Sequence, residues 1–199
     1  MTTPAVAHAP DLSLRLMRGA VGLAYGGTRL MRRPPKAPAG VTEHSYGANP
    51  AERLEFILPR PGAPSRSPVV FIHGGGWILG AKESYTRYLS FLAEAGYPVF
   101  NVEYPLAPEN PHPGILRSLF SAFDWIAAQH PEFTGYHVMG DSAGANLAMM
   151  IGLFATNPSL ILPVDPKRSG GLPLTCHSVV SLYGVLDRLS WIEDGFPGA

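Results

Sequence analysis

The chain has 199 residues, of which 46% are apolar and 15% are charged, and its formal net charge is zero. This length suits one domain with a sizeable core. The sequence has no excess of basic over acidic residues, which argues against a nucleic-acid-binding protein. Its apolar content argues against a disordered chain. The one cysteine, Cys176, excludes an internal disulfide, and no apolar run has the length of a membrane-spanning helix. We expect a cytoplasmic protein in which Cys176 is a small buried apolar residue.

The first 40 residues form a basic segment. No acidic residue occurs between Leu12 and Gly40. The basic residues of this stretch are Arg15, Arg18, Arg29, Arg32, Arg33 and Lys36. Leucines recur at near-helical spacing, and Pro34-Pro35 would end a helix. We interpret residues 1–40 as a helical segment that packs on the domain. The alternatives are a transit peptide and an amphipathic helix in weak contact with a membrane surface.

From residue 41 onwards, predicted strands and helices alternate. The polar and apolar alternation at 52–58 is typical of an outer strand, whereas the continuous apolar run at 69–72 is typical of a strand buried on both faces. A helix is predicted over 83–95 and ends at Gly96. The remaining predicted elements are strands at 98–102, 136–139 and 178–183 and helices at 115–130 and 145–154. The alternation implies an α/β fold with a mostly parallel central sheet and flanking helices.

Gly140, Asp141, Ser142, Ala143 and Gly144 form a G-x-S-x-G pattern between a predicted strand and a predicted helix. This context is typical of a nucleophile elbow, in which a serine occupies a tight strand-to-helix turn. Glycines are expected on both sides of Ser142, because a β-carbon at either position would clash. The helix N-terminus favours developing negative charge. The alternative is that Ser142 only caps the helix.

A second motif, His73-Gly74-Gly75-Gly76, directly follows the predicted strand at 69–72. Glycines weaken regular structure, but they let backbone N–H groups approach an anionic oxygen closely, as an oxyanion hole requires. One such donor contributes about 10²–10³ in rate, so the catalytic gain exceeds the conformational cost. We interpret His73 as structural, with its ring orienting the loop.

Three segments resemble the hormone-sensitive-lipase-like branch of the α/β-hydrolase superfamily: HGGGW at 73–77, YPLAPENPHP at 104–113 and GDSAGANLA at 140–148. The resemblance covers roughly residues 40–190. It implies an α/β-hydrolase fold with the N-terminal segment as part of a cap. It also implies a carboxylesterase that cleaves short to medium acyl esters through an acyl-enzyme, without a cofactor.

The resemblance assigns roles around Ser142, which would be the nucleophile. The residues assigned to the oxyanion hole are Gly74, which shapes the loop, and Gly75, Gly76 and Ala143, which donate their N–H groups. Asp141 cannot reach a distant imidazole and is expected to hold neighbouring loops. Trp77 either lines the substrate pocket or belongs to the core. Because no histidine pair with a spacing of four occurs on a predicted helix, we expect no metal site.

The sequence departs from the family in the rest of the catalytic triad, whose order is Ser, then Asp or Glu, then His. Only His177 follows Ser142, and it opens a predicted strand. A triad of Ser142, Asp165 and His177 keeps the order, but neither partner is predicted on a loop after the final strands. Asp187 ends a predicted strand and precedes no histidine. We therefore expect residues 41–199 to be the N-terminal part of the domain, and the chain alone to be nearly inactive and prone to aggregation.

Three functions remain open on the sequence alone. The first is a carboxylester hydrolase. The second is an aryl-formamide hydrolase, which belongs to a related branch with a similar glycine loop. The third is a pseudoenzyme that binds a small ligand without turnover.

Overall fold

The computed structural model describes residues 40–187, together with residues 19 and 38. Apart from these few positions, the predicted N-terminal helical segment at 1–40 lies outside the described residues. The strands are β1 (Val41–Ser45), β2 (Arg53–Ile57), β3 (Val69–Ile72), β4 (Val99–Val102), β5 (Gly135–Asp141) and β6 (Thr175–Leu182). The helices are α1 (Ser90–Glu94), α2 (Gly114–Gln129) and α3 (Ala143–Thr156), with 3-10 helices at Lys82–Ser84 and Pro158–Leu160.

The strands form one sheet in the order β1-β2-β4-β3-β5-β6. Strands β4, β3, β5 and β6 are parallel, and β1 and β2 extend the sheet antiparallel. The prediction of a mostly parallel sheet is therefore confirmed. Ile72 lies opposite both Val102 and Gly140, so the carboxyl ends of β3, β4 and β5 meet at one edge. The loops that carry both glycine motifs begin there.

Strand β3 has a continuous apolar sequence because both of its faces lie in the core, and its four residues are all buried. Because side chains alternate along a strand, Val70 and Ile72 join one apolar cluster and Phe71 joins another. The larger cluster includes the buried face of α2, with Leu119 and Phe123. Helical packing on both faces of the sheet holds the loop-bearing edge in place.

Helix α1 is shorter than predicted. It begins at Ser90, and the predicted first turn is a 3-10 helix at Lys82–Ser84. The backbone of Lys82 is held from two sides: its N–H donates to Glu103 Oε2 (2.8 Å) and its carbonyl accepts from Asn101 Nδ2 (2.9 Å). These contacts with the end of β4 override the helical periodicity. The predicted stop is confirmed, since Gly96 follows the helix with φ of 92°.

Other sequence expectations differ from the structure at the sheet margins. Strand β1 was not predicted, because its mostly exposed sequence has no apolar alternation. Its pairing with β2 places β2 inside the sheet, so the expectation of an outer strand at 52–58 is wrong. Cys176 is only partly buried in β6, so its prediction as a buried residue is also wrong. No helix among the described residues is long and apolar enough to cross a membrane.

Candidate active site

Ser142 occupies the junction between β5 and α3 with φ of 49° and ψ of −118°. This backbone conformation is unfavourable for a residue with a β-carbon. The N–H of Ser142 donates to Leu182 O (2.9 Å), and its carbonyl accepts from Asn146 N–H (3.1 Å). The side chain makes no capping hydrogen bond to α3, so the alternative of a simple helix cap is wrong. Ser142 is partly exposed at the helix N-terminus.

The glycines on both sides of Ser142 are required by close backbone packing. A β-carbon on Gly140 would lie 2.4 Å from Gly144 O, and one on Gly144 would lie 2.1 Å from Ile72 O. Real β-carbons do not approach other atoms so closely. The steric reason predicted for these two glycines is therefore confirmed.

Residues 73–80, which follow β3, are termed the glycine loop. Gly75 has φ of 132°, and its carbonyl accepts from Ile78 N–H (3.2 Å) and Leu79 N–H (3.0 Å). The resulting tight turn leaves the N–H groups of Gly75 and Gly76 without a hydrogen-bond partner among the described residues. The N–H of Ala143, the first residue of α3, has no partner there either. Three donors are thus available on the two segments that carry the motifs.

Asp141 joins the glycine loop to the serine turn. Its Oδ1 accepts from Gly74 N–H (2.8 Å), and its Oδ2 accepts from the Tyr85 hydroxyl (2.9 Å). The expectation that Asp141 holds neighbouring loops agrees with these contacts. Because the N–H of Gly74 is engaged, Gly74 shapes the loop and has no free donor. Burial and the charge of Asp141 raise the pKa of the Tyr85 phenol above its ordinary value.

His73 is fully buried at the start of the glycine loop. Its Nδ1 lies 2.8 Å from Gly74 O and its Nε2 lies 2.9 Å from Glu103 Oε1. The ring stacks on Tyr104 with a centroid distance of 4.5 Å, and the Tyr104 hydroxyl donates to His73 O (2.8 Å). Both ring nitrogens are occupied, which supports the structural interpretation of His73.

Trp77 has φ of 64° and is partly buried against the larger apolar cluster. Its carbonyl accepts from Ala107 N–H (2.9 Å), which attaches the loop after β4 to the glycine loop. The core interpretation of Trp77 therefore agrees with the structure, and a role in a substrate pocket stays a prediction.

The structure does not bring Ser142, Asp165 and His177 together. His177 lies at the amino end of β6, whereas Ser142 follows the carboxyl end of the adjacent parallel strand, whose seven residues span about 20 Å. Asp165 lies beyond the far end of α3, whose 14 residues span about 21 Å. Asp187 does not end a strand as predicted, since β6 ends at Leu182. Within the described residues, the Ser142 hydroxyl forms no hydrogen bond.

Sequence reasoning missed one residue of this site, Glu103, which contacts both His73 and the segment after the glycine loop. An acidic residue directly after a buried strand was the sequence feature that could have indicated a role for Glu103 at this site. No group of three or more histidines, cysteines or acidic residues that could hold a metal ion occurs in the described part of the chain.

Comparisons with known proteins agree with this arrangement. A protein-family model with the description alpha/beta hydrolase fold matches residues 69–173, more than half of the chain. Hormone-sensitive lipase of Mus musculus is 38% identical over 128 residues, which are 60% of this chain and 17% of that protein. Esterase LipC of Mycobacterium tuberculosis is 29% identical over 160 residues, which are 76% of this chain and 38% of that protein.

Solved structures show the same fold. A hyperthermophilic esterase from Pyrobaculum calidifontis matches with a TM-score of 0.59 at 28% identity, over 74% of this chain and 50% of that chain. Esterase B from Lactobacillus rhamnosis matches with a TM-score of 0.67 at 24% identity, over 82% of this chain and 56% of that chain. The chain therefore spans only part of the length of each relative. With both motifs inside the matched segment, the chain belongs to the alpha/beta hydrolase fold family, in its hormone-sensitive-lipase-like branch.

Proposed function

We propose that Ser142 is the nucleophile of a carboxylester hydrolase that cleaves short to medium acyl esters. Its Oγ attacks the ester carbonyl, the alcohol leaves, and water then releases the acid from the acyl-enzyme. The observation that carries the proposal is the partly exposed serine held at φ of 49° between β5 and α3, with a hydroxyl that does not cap the helix. Strained backbone conformations of this kind persist only where the surrounding structure enforces them, and they cluster at active sites.

The oxyanion hole of the proposed enzyme consists of the N–H groups of Gly75, Gly76 and Ala143. They have no hydrogen-bond partner among the described residues, so they can donate to the tetrahedral oxygen without breaking an existing bond. Each donor is worth about 10²–10³ in turnover. The names of the relatives support the reaction class, since they are a lipase and several esterases.

The proposed mechanism also needs a general base and an acid to orient it. Because the Ser142 hydroxyl has no hydrogen-bond partner within the described residues, we assign both groups to chain outside them. Without a histidine, turnover falls by about 10⁶, while the oxyanion hole retains about 10³–10⁴ over water.

The test is hydrolysis of p-nitrophenyl acetate by the longest natural polypeptide that contains these residues, compared with its Ser142→Ala variant. The intact mass of that polypeptide, set against the 21.3 kDa of this chain, defines its length. We expect turnover that Ser142→Ala abolishes and an acyl group on Ser142 in peptide mass spectra. Turnover that survives the substitution would refute the proposal. A parallel assay with an N-formyl aryl amine separates ester from formamide hydrolysis.

A second candidate function is ligand binding without turnover. The absence of a hydrogen-bond partner for the Ser142 hydroxyl within the described residues favours it, since an unactivated serine is a weak nucleophile. A short-chain ester that raises the midpoint of thermal unfolding, without Ser142-dependent product, would support this alternative.

A further inference from the structure

We propose that Glu103 is a positioning residue that fixes the glycine loop by holding both of its ends. The inference rests on the proposed function for its catalytic meaning, although the contacts themselves do not depend on it. Glu103 directly follows β4, the parallel neighbour of the strand from which the glycine loop begins.

The two carboxylate oxygens of Glu103 contact different segments. Oε1 lies 2.9 Å from His73 Nε2, at the first residue of the glycine loop. Oε2 accepts from the N–H of Lys82, just after the loop, at 2.8 Å. The Glu103 side chain therefore links the start of the glycine loop to the residue just after its end.

The backbone of Glu103 is itself held firmly. Its N–H donates to Arg53 O (2.9 Å), and its carbonyl accepts from the Tyr46 hydroxyl (2.6 Å). The Glu103 side chain is only 15% exposed. The carboxylate is thus anchored to the sheet, and a functional loop supported by a rigid element keeps its geometry better than one without such support.

The His73 ring connects Glu103 to the peptide unit that carries the Gly75 N–H, one of the proposed oxyanion donors. Its Nδ1 lies 2.8 Å from Gly74 O, the carbonyl of the peptide unit whose N–H belongs to Gly75. A β-carbon on Gly80 would lie 2.6 Å from the same nitrogen, so the ring fills the space between the two arms of the loop. Release of the ring by loss of Glu103 would therefore release the Gly74–Gly75 peptide unit.

The chemistry of these contacts distinguishes three substitutions. A carbonyl is only an acceptor, so His73 Nδ1 must carry a proton. In the wild type, Nε2 also faces an acceptor, the Glu103 carboxylate, and donates to it. In Glu103→Gln, the amide oxygen can accept from Lys82 N–H and a neutral His73 ring can accept at Nε2 from the amide NH₂, so both contacts persist with the direction of the His73 bond reversed. Glu103→Asp keeps the charge but is one methylene too short to reach both ends. Glu103→Ala loses both contacts.

The experiment uses the longest natural polypeptide that contains these residues. It measures amide hydrogen exchange in the peptide that covers the glycine loop, with kcat and KM for p-nitrophenyl acetate on the same samples. We expect exchange to accelerate at least about tenfold in Glu103→Ala and Glu103→Asp and to stay near the wild-type rate in Glu103→Gln. We also expect kcat to fall about 10- to 100-fold in the first two variants, with KM little changed, because a small misplacement of the donors weakens the transition state more than the substrate complex.

Glu132→Ala is the matched control. The Glu132 carboxylate also lies beside a histidine, with Oε1 3.0 Å from His130 Nδ1, but at the opposite edge of the sheet. Its removal should leave loop exchange and kcat unchanged. If Glu103→Ala does not fold, Glu103→Asp carries the comparison.

The outcomes separate the inference from the proposed function. Wild-type loop exchange in Glu103→Asp, or accelerated exchange in Glu103→Gln equal to that of Glu103→Asp, overturns the positioning role, whatever the turnover. Accelerated exchange in the Asp variant with rescue by Gln supports the role even if neither the wild type nor Ser142→Ala turns over ester, a result that would refute only the proposed function.

Discussion

Three residues other than glycine have positive φ among the described residues, and all lie at one edge of the sheet. Trp77, Ser142 and Tyr183 have φ of 64°, 49° and 42° and follow β3, β5 and β6 respectively. Each such conformation costs about 1–3 kcal/mol and persists only where the surroundings determine it. The unfavourable backbone is therefore concentrated around the proposed nucleophile, where the hydrogen bonds of Asp141 and Leu182 hold it.

A pair of glycine substitutions tests how tightly the glycine loop is packed. In Gly75→Ala, the new β-carbon would lie 1.9 Å from Leu79 O at φ of 132°, whereas the nearest atom to a β-carbon on Gly76 is 3.9 Å away at φ of 60°. We expect Gly75→Ala to lower the free energy of unfolding by about 3 kcal/mol and Gly76→Ala by about 1 kcal/mol. Urea unfolding measures both values, and equal losses would contradict the packing described for Gly75.

At the scale of elements, β6 differs from the other parallel strands. It pairs only with β5 among the described residues, and none of its eight residues is fully buried. Val180 is 40% exposed within it. A strand edge that no described strand pairs is a template for pairing with another chain, and aggregation of this chain alone stays a prediction.

The substitution Val180→Lys should reduce self-association, because a charge on an edge strand opposes edge-to-edge pairing. Phe91→Lys is the control, since Phe91 is 56% exposed on α1, away from the sheet edge. Sedimentation velocity of the 199-residue chain measures the effect. The same reduction in both variants would show that general hydrophobicity, and not the edge of β6, drives association.

At the scale of the whole molecule, stability should depend on pH through buried phenols. Burial raises the pKa of Tyr104 and Tyr136 above the ordinary value, and both side chains are fully buried. A group whose pKa is raised by folding contributes stability below its unfolded pKa of about 10, and that stability is lost as the pH rises above this value. The fold should therefore be insensitive to these groups at neutral pH and lose stability in alkali.

Tyr136→Phe removes one such phenol from the core. We expect it to reduce the alkaline fall in the free energy of unfolding by up to about 1.4 kcal/mol per pH unit above pH 10. Tyr88→Phe serves as the control, because Tyr88 is 47% exposed. Urea unfolding between pH 8 and pH 11 measures the slopes, and identical slopes in the two variants would contradict the assigned cause.

The sequence by itself determined the features that depend on neighbouring residues. The glycines at 140 and 144, the serine turn between strand and helix, and the buried run at 69–72 all follow from backbone stereochemistry or side-chain periodicity over a few positions. These features were enough to predict the fold class and the position of the candidate nucleophile.

Only the tertiary structure decided which distant residues support that position. Gly74 and Asp141 are 67 residues apart, and His73 and Glu103 are 30 apart, yet each pair shares a hydrogen bond. Such contacts depend on sheet register, which brings the ends of β3, β4 and β5 to one edge. The same register separates His177 from Ser142 and interrupts the helix predicted at 83–95, because local periodicity carries no information about which strands become neighbours.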